Sequence, residues 1–229
     1  MLNTNISEQQ DIKRFEKPSV AVDLLVFTIK DDKLQVVLVK RGLEPFKGGW
    51  ALPGGFVRID ESVDTAAKRE LAEETGLRDV YLEQLFTFGE VNRDPRDRVI
   101  TISYFALTPY AKITLEAATD VTEAKLFPVS MLPELAFDHR EIIQVGLERL
   151  RGKIQYSSIV FGLMPDQFRL SQLQKVYEII LGTEIDKRNF RKKMASLDLL
   201  KDTGKMEVDG AHRPAKLYSF KKKDVVIFG

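Results

Sequence analysis

Glu70, Glu73 and Glu74 stand three and four residues apart in "RELAEETGL", Arg69 to Leu77. In a helix that spacing sets three carboxylates on one face, and each like-charged pair costs an isolated helix roughly 0.2–0.5 kcal/mol. Arg69, four before Glu73, can relieve one of them, but Glu70 has Ala66 behind it and Glu74 ahead. Glu74 meets a cation only at Arg78, beyond Gly76, the expected helix stop. At least two carboxylates therefore converge on a space suited to a hard divalent cation. Mg2+ takes one or two carboxylates and leaves its other positions to water and phosphate oxygens, which fits Glu70 and Glu74. The competing reading is a solvated, glutamate-rich helix.

Composition narrows the chemistry. The 229 residues hold no cysteine and two histidines, His139 and His212, so thiolate zinc sites, disulfides and a cysteine nucleophile are excluded and any metal must be held by oxygen. Hydrophobic residues at 44% and charged residues at 30% describe a globular chain. No apolar run reaches membrane-spanning length and the first 16 residues are mostly polar, so a cytoplasmic location without membrane attachment is expected. The net charge of +1 hides an asymmetry. Residues 1–150 carry 19 Lys+Arg against 25 Asp+Glu, or −6, and the remainder carries 16 against 9, or +7. Such polarity points to a C-terminal part that meets an anionic polymer, with two solvated surfaces of opposite sign as the plain alternative.

The elements that must position the glutamates follow from pattern. "VAVDLLVFTIK" and "LQVVLVKR", separated by "DDK", read as a hairpin, and "VYLEQLFTFGEV" and "RVITISYFAL" as two further strands. Between them lies the glutamate helix, with Ser62 as N-cap, Asp64 in its first turn and Val63, Ala67 and Leu71 as its buried stripe. Another helix is expected over 139–150, and His139 is read mainly as structural. Strands covered by helices on both faces predict an α/β/α sandwich.

Gly55, Glu61 and the run Arg69-Glu70-Leu71-Ala72-Glu73-Glu74-Thr75-Gly76-Leu77 resemble the Nudix box, and the preceding "GGWALPGG" is similar to that family's entry loop. The resemblance implies Mg2+ or Mn2+ as cofactor and hydrolysis of a nucleoside diphosphate linked to another group. By the same resemblance, the Gly54 carbonyl joins Glu70, Glu73 and Glu74 as a metal ligand, Glu73 and Glu74 serve catalysis, and Arg69 braces the glutamates. Glu73, Asp120 and Glu123 stand open as general base. The loop "NRDPRDR" offers Arg93 and Arg96 to phosphates, with Arg41 as a third substrate-binding candidate, although a charged turn would read the same way. "NRDPR" and "LPELAFDH" are similar to the branch that handles ADP-ribose. The proline that many ADP-ribose pyrophosphatases carry after the box is displaced, Pro95 standing 18 residues beyond Leu77.

The C-terminal part has another pattern. "RLSQLQKVYEIILG" predicts a helix capped by Ser171 with Gln174 and stopped by Gly182. "DKRNFRKKMASLDLL" predicts a second helix from N-cap Asp186, burying Phe190, Met194 and Leu197 and exposing Lys187, Arg188, Arg191 and Lys192. "KMEVDGAHRPAKLYSF" reads as a hairpin with Gly210 and Pro214 near its tip. Helix, basic helix and hairpin is the order of a winged helix. Arg213, with His212 beside it, joins the four helix cations as a DNA-contact candidate. "DKRNFRKK" and "HRPAKLYSF" resemble the Nudix-related transcriptional regulators of NAD metabolism, which implies ADP-ribose as effector, double-stranded operator DNA as partner and a homodimer. Many members of that family have a degraded box, whereas this one is intact.

The expectation is thus an α+β chain: a flexible N-terminus over 1–17, a Nudix sandwich over 18–152 and a winged helix-turn-helix domain over 153–229. It would act as an ADP-ribose-responsive regulator that also hydrolyses ADP-ribose to AMP and ribose 5-phosphate. The alternative is a plain pyrophosphatase with a structural C-terminal domain.

Overall fold

The computed structural model describes residues 16–113, 121–208 and 214–228. Strand β1 (Ser19–Lys30) organises the first domain. Val22, Leu24 and Val26 point to one face and Leu25 and Phe27 to the other, all fully buried. A strand covered on both faces reads as a continuous apolar run, which is why "VAVDLLVF" shows little alternation. Strand β2 (Lys33–Arg41) returns antiparallel through Asp31 and Asp32, both at positive φ as a tight hairpin turn requires. Short β3 (Trp50–Ala51) pairs with β2, and β4 (Gly54–Phe56) pairs with β1.

Helix α1 (Val63–Thr75) follows, and both sequence-read ends hold. The Ser62 side chain accepts from the Thr65 N–H at 3.2 Å, and Gly76, at φ 69°, donates to the Ala72 carbonyl at 3.1 Å. Ala66, Ala67 and Leu71 seat α1 on the Val22–Leu24–Val26 face. Strands β5 (Tyr81–Phe88), β6 (Val99–Leu107) and β7 (Val121–Pro128) complete seven strands in one mixed sheet among the described residues. In that sheet β6 runs parallel to β1.

Helix α2 (His139–Tyr156) covers the opposite face with Ile142, Ile143, Leu147 and Leu150. A Cβ at Gly146 would collide with Leu25 Cδ2, so glycine sets how closely α2 lies on the sheet. The sandwich is the one expected, but α2 is longer: it passes through Gly152 and leaves helix only at Ser157. Ile154 is fully buried and holds the last turns in place, outweighing the roughly 1 kcal/mol a helical glycine costs.

The second domain comprises β8 (Phe168–Arg169), α3 (Leu170–Leu181), α4 (Lys187–Ser196), β9 (Leu200–Glu207) and β10 (Ala215–Phe220), with sheet order β8-β10-β9. Ser171 is not the cap of α3. Strand β8 pairs with β10 and runs straight into the helix, so the Gln172 side chain accepts the Arg169 N–H at 2.7 Å. Gln174 serves the other end, donating to the Ile185 carbonyl at 2.8 Å. Asp186 caps α4 as expected, accepting from the Asn189 N–H at 2.8 Å, and Phe190 and Met194 are buried. The hairpin strand begins earlier than the sequence pattern indicated, at Leu200, and Gly210, His212 and Arg213 lie outside the described residues. Among the described residues no helix is long and apolar enough to cross a membrane.

Candidate functional site

The carboxylate face of α1 looks onto β4. A Cβ at Gly55 would collide with Glu70 Oε1, so only glycine lets the strand come so close to the carboxylate. The Gly54 N–H donates to Glu74 Oε2 at 2.9 Å. Arg69 is the hub. Its guanidinium reaches both Glu61 oxygens at 2.6 and 3.0 Å, Glu70 at 2.6 Å, Glu73 at 3.2 Å and the Phe56 carbonyl at 3.3 Å. Hydrogen bonds from Arg69 and from the Arg58 backbone hold the Glu61 carboxyl at about 2. The repulsion expected of three clustered glutamates is thus relieved through one arginine and one backbone N–H.

Among the described residues no three His, Cys, Asp or Glu side chains are gathered as a ready metal cage. Glu70 and Glu73 face Arg69, and Glu74 faces Gly54. By donor type the set still fits a hard cation, because it offers carboxylate oxygens on one face and no sulfur. Gly54, expected to lend its carbonyl, meets the glutamates through its N–H.

These residues form one wall of a cleft of about 680 Å³. The other wall is cationic and aromatic. The Arg41 guanidinium lies 4.8 Å from the Phe137 ring centre, and that of Arg96 lies 5.6 Å from Phe137 and 5.3 Å from Phe56. Burial and the neighbouring Arg96 charge push Arg41 below the usual arginine range. Two guanidiniums drawn together over one ring make a locus for an anion. Arg96 is held from behind by Asp94, whose side chain is 2% exposed and whose oxygens take the Arg96 fork at 2.7 and 3.0 Å.

Arg93 departs from the expectation of a phosphate-gripping loop arginine. Only 4% exposed, it contacts Asp138 at 2.6 and 2.8 Å and Asp23 at 3.2 Å, so it anchors the loop under the cleft. Removing one member of such a buried pair costs about 3–5 kcal/mol. His139 is structural as read: Nδ1 accepts the Leu52 N–H at 2.8 Å, and Nε2 lies 3.5 Å from Asp23. Burial pushes the Asp23 carboxyl up, but His139 and Arg93 outweigh it and hold it below the usual carboxylate range. Of the three candidate bases, Glu73 lines the cleft. Glu123 pairs with Lys40 and Lys125 away from it, and Asp120 lies outside the described residues.

Sequence reading missed Asp23, Asp94, Asp138, Phe56 and Phe137. One signal was present: Asp23 is a charge inside "VAVDLLVF", and an ionised group on a buried strand requires a partner. The others come from three separate segments; Asp94, Phe137 and Asp138 fall inside the two words similar to the ADP-ribose branch, but nothing local says which residues of those words meet.

In the second domain, Lys187, Arg188, Arg191 and Lys192 are all exposed on α4. Arg191 also lines a groove of about 710 Å³ between α4 and the hairpin, with Lys216 and Tyr218 on its far side.

A model of the NUDIX domain matches residues 17–145, and a model of the NrtR DNA-binding winged helix domain matches residues 160–220. The chain is 35% identical to the ADPR responsive transcriptional repressor NtrR of Acinetobacter baylyi, over 95% of this chain and 90% of that protein. It belongs to the NrtR family. Shewanella oneidensis NrtR, solved with a 27mer DNA, superposes with a TM-score of 0.80 at 38% identity, covering 88% of this chain and 93% of that one. The first domain is also 41% identical to the ADP-ribose pyrophosphatase of Methanocaldococcus jannaschii, over 61% of this chain and 80% of that protein. The NrtR architecture, a Nudix sandwich followed by a winged helix, is therefore the architecture of this chain.

Proposed function

We propose that this protein is an ADP-ribose-responsive, DNA-binding transcriptional regulator whose intact Nudix box also hydrolyses ADP-ribose to AMP and ribose 5-phosphate. The observation that carries the reading is the two-walled cleft. A carboxylate face suited to a cation opposes a guanidinium pair suited to an anion, which is the complement of a metal-bound diphosphate.

Glu70, Glu73 and Glu74 would hold Mg2+ or Mn2+, which when bound neutralises phosphate charge and lowers the pKa of a bound water. Arg69 holds Glu70 and Glu73 in place by hydrogen bonds. Arg41 and Arg96 take the phosphates, and Phe56 and Phe137 keep water from that wall. Glu73, the cleft-lining candidate base, accepts the proton of the attacking water. On the other domain Lys187, Arg188, Arg191 and Lys192 meet the operator, with Arg213 from the hairpin. The protein acts as a homodimer in the cytoplasm, where its DNA partner lies.

The test combines both halves. Incubation with ADP-ribose and Mg2+ should release AMP and ribose 5-phosphate. A duplex recovered by genomic pull-down should be released by a non-hydrolysable ADP-ribose analogue. Absence of products removes the hydrolase, and operator affinity indifferent to the analogue removes the switch.

A further inference from the structure

The three residues that lead into α2 are all fastened to the cleft. Phe137, at φ 54°, sets its ring beneath Arg41 and Arg96. Asp138 takes the fork of Arg93 at 2.6 and 2.8 Å. His139 accepts the Leu52 N–H and stands against Asp23. The loop holding Arg93 also holds Asp94 and Arg96, so the guanidinium facing the cleft and the one gripping the start of α2 are three residues apart on one rigidly paired segment.

From that entry α2 runs 18 residues without a break, about 27 Å at 1.5 Å per residue. Its far end is built into the second domain. Arg151 Nε donates to the Ile180 carbonyl, at the C-terminus of α3, at 3.0 Å. Ile154 belongs to the same buried cluster as Leu173, Ile180 and Phe190. Past the helix, Ser158 is bonded three times to the C-terminal tail: its N–H donates to the Val226 carbonyl at 2.9 Å, and its hydroxyl accepts the Val226 N–H at 2.8 Å and donates to the Asp224 carbonyl at 3.1 Å. The Phe228 N–H donates to the Tyr156 carbonyl at 2.9 Å, so the chain leaving β10 is tied to the end of α2.

We infer that α2 is the lever of the switch: Asp138 is a positioning residue through which occupancy of the cleft by a nucleoside diphosphate sugar shifts α2, and Arg151 passes that shift to the DNA-binding helices. This rests on the ligand-responsive reading above and names the device that carries it. A ligand that draws Arg96 toward its phosphates moves the loop holding Arg93, and Arg93 grips α2 by its first residues. A packed helix shifts as a unit because close-packed interiors transmit strain. Arg151 stands outside the cleft and bonds the end of α3, so changing it should alter the coupling between the two affinities rather than the affinities themselves.

The test measures operator affinity of the full chain with and without saturating α,β-methylene ADP-ribose in Mg2+, for the parent, Asp138→Asn and Arg151→Met. Analogue affinity is measured by calorimetry and folding by thermal melting. In the parent the analogue should weaken operator binding by about 5- to 150-fold. In both variants that ratio should fall to within about twofold of unity; in Arg151→Met, which stands outside the cleft, ligand-free operator affinity and analogue affinity should also stay within about threefold of the parent. A folded Asp138→Asn that keeps the parental ratio overturns the inference. If Asp138→Asn fails to fold, Arg151→Met decides, and a parental ratio there overturns it equally. A parent that does not respond at all defeats the ligand-responsive reading itself, whereas a responsive parent with equally responsive variants defeats only the lever.

Discussion

In the cleft three arginines meet carboxylates: Arg69 reaches Glu61 and Glu70 at 2.6 Å, Arg93 reaches Asp138 at 2.6 Å and Arg96 reaches Asp94 at 2.7 Å, while Arg41 donates to the Pro45 carbonyl at 2.8 Å. On α4, by contrast, Arg188, Arg191 and Lys192 form no ion pair among the described residues and stand exposed. The same residue types do different work because their surroundings differ. A small ligand needs groups held within a fraction of an ångström, so the cleft arginines are fixed before anything binds, three by acids and Arg41 by a backbone carbonyl. A DNA backbone is a regular array of phosphates met by displacing counterions, so solvated cations serve, and pre-pairing them would weaken the attraction.

This contrast can be broken at either end. The largest expected effect is in the cleft: Glu74→Gln keeps the shape and removes a ligand charge. ADP-ribose hydrolysis should fall by more than the roughly 10- to 100-fold that changes around a metal ligand produce. Product release measured at saturating Mg2+ decides, and a parental rate would take Glu74 out of the chemistry.

At the other end, replacing Arg188 and Arg191 by alanine should weaken duplex binding and reduce the slope of log affinity against log salt by about 0.9 for each phosphate that is no longer neutralised. Titrations at several salt concentrations give that slope. An unchanged slope would mean that α4 does not lie against the DNA. ADP-ribose hydrolysis should be the same in this variant as in the parent.

The smallest expected effect sharpens the pre-pairing argument. Glu61 sits at about 2 in the folded protein against 4.5 for a free glutamate, so the folded state binds fewer protons than the unfolded chain. Its contribution to stability is therefore full above pH 4.5 and is lost as pH falls toward 2. Denaturant unfolding at stepped pH should show the parent losing stability through that window more steeply than Glu61→Gln. Parallel curves would show that the Arg69–Glu61 fork adds nothing to the fold.

Much of this was legible along the chain. Ser62, Gly76, Asp186 and Gly182 act on backbone groups within a few residues of themselves, so their positions announce helix ends without tertiary information. The Nudix glutamates were legible for the same reason, since a 3.6-residue period puts them on one face wherever the helix lies. Where the sequence misled, a longer-range partner had intervened. Ser171 looked like a cap until β8 paired with β10 and carried the chain into α3 two residues earlier. The helix expected over 139–150 runs on to Tyr156 because Ile154 is buried in the core.

The local periodicities belong to the chain alone: a carboxylate face, a basic face, the caps and the buried stripes. Which charges meet is a matter of folding. Arg93 and Arg96 are three residues apart and chemically identical, yet one is enclosed by Asp23 and Asp138 while the other faces the cleft over Phe56 and Phe137. Those partners come from β1, from the entry to α2 and from β4, brought together by sheet pairing across as many as 70 residues. A buried charge takes its role from whatever stands within about 4 Å, and that is fixed by the fold rather than by neighbours in the chain.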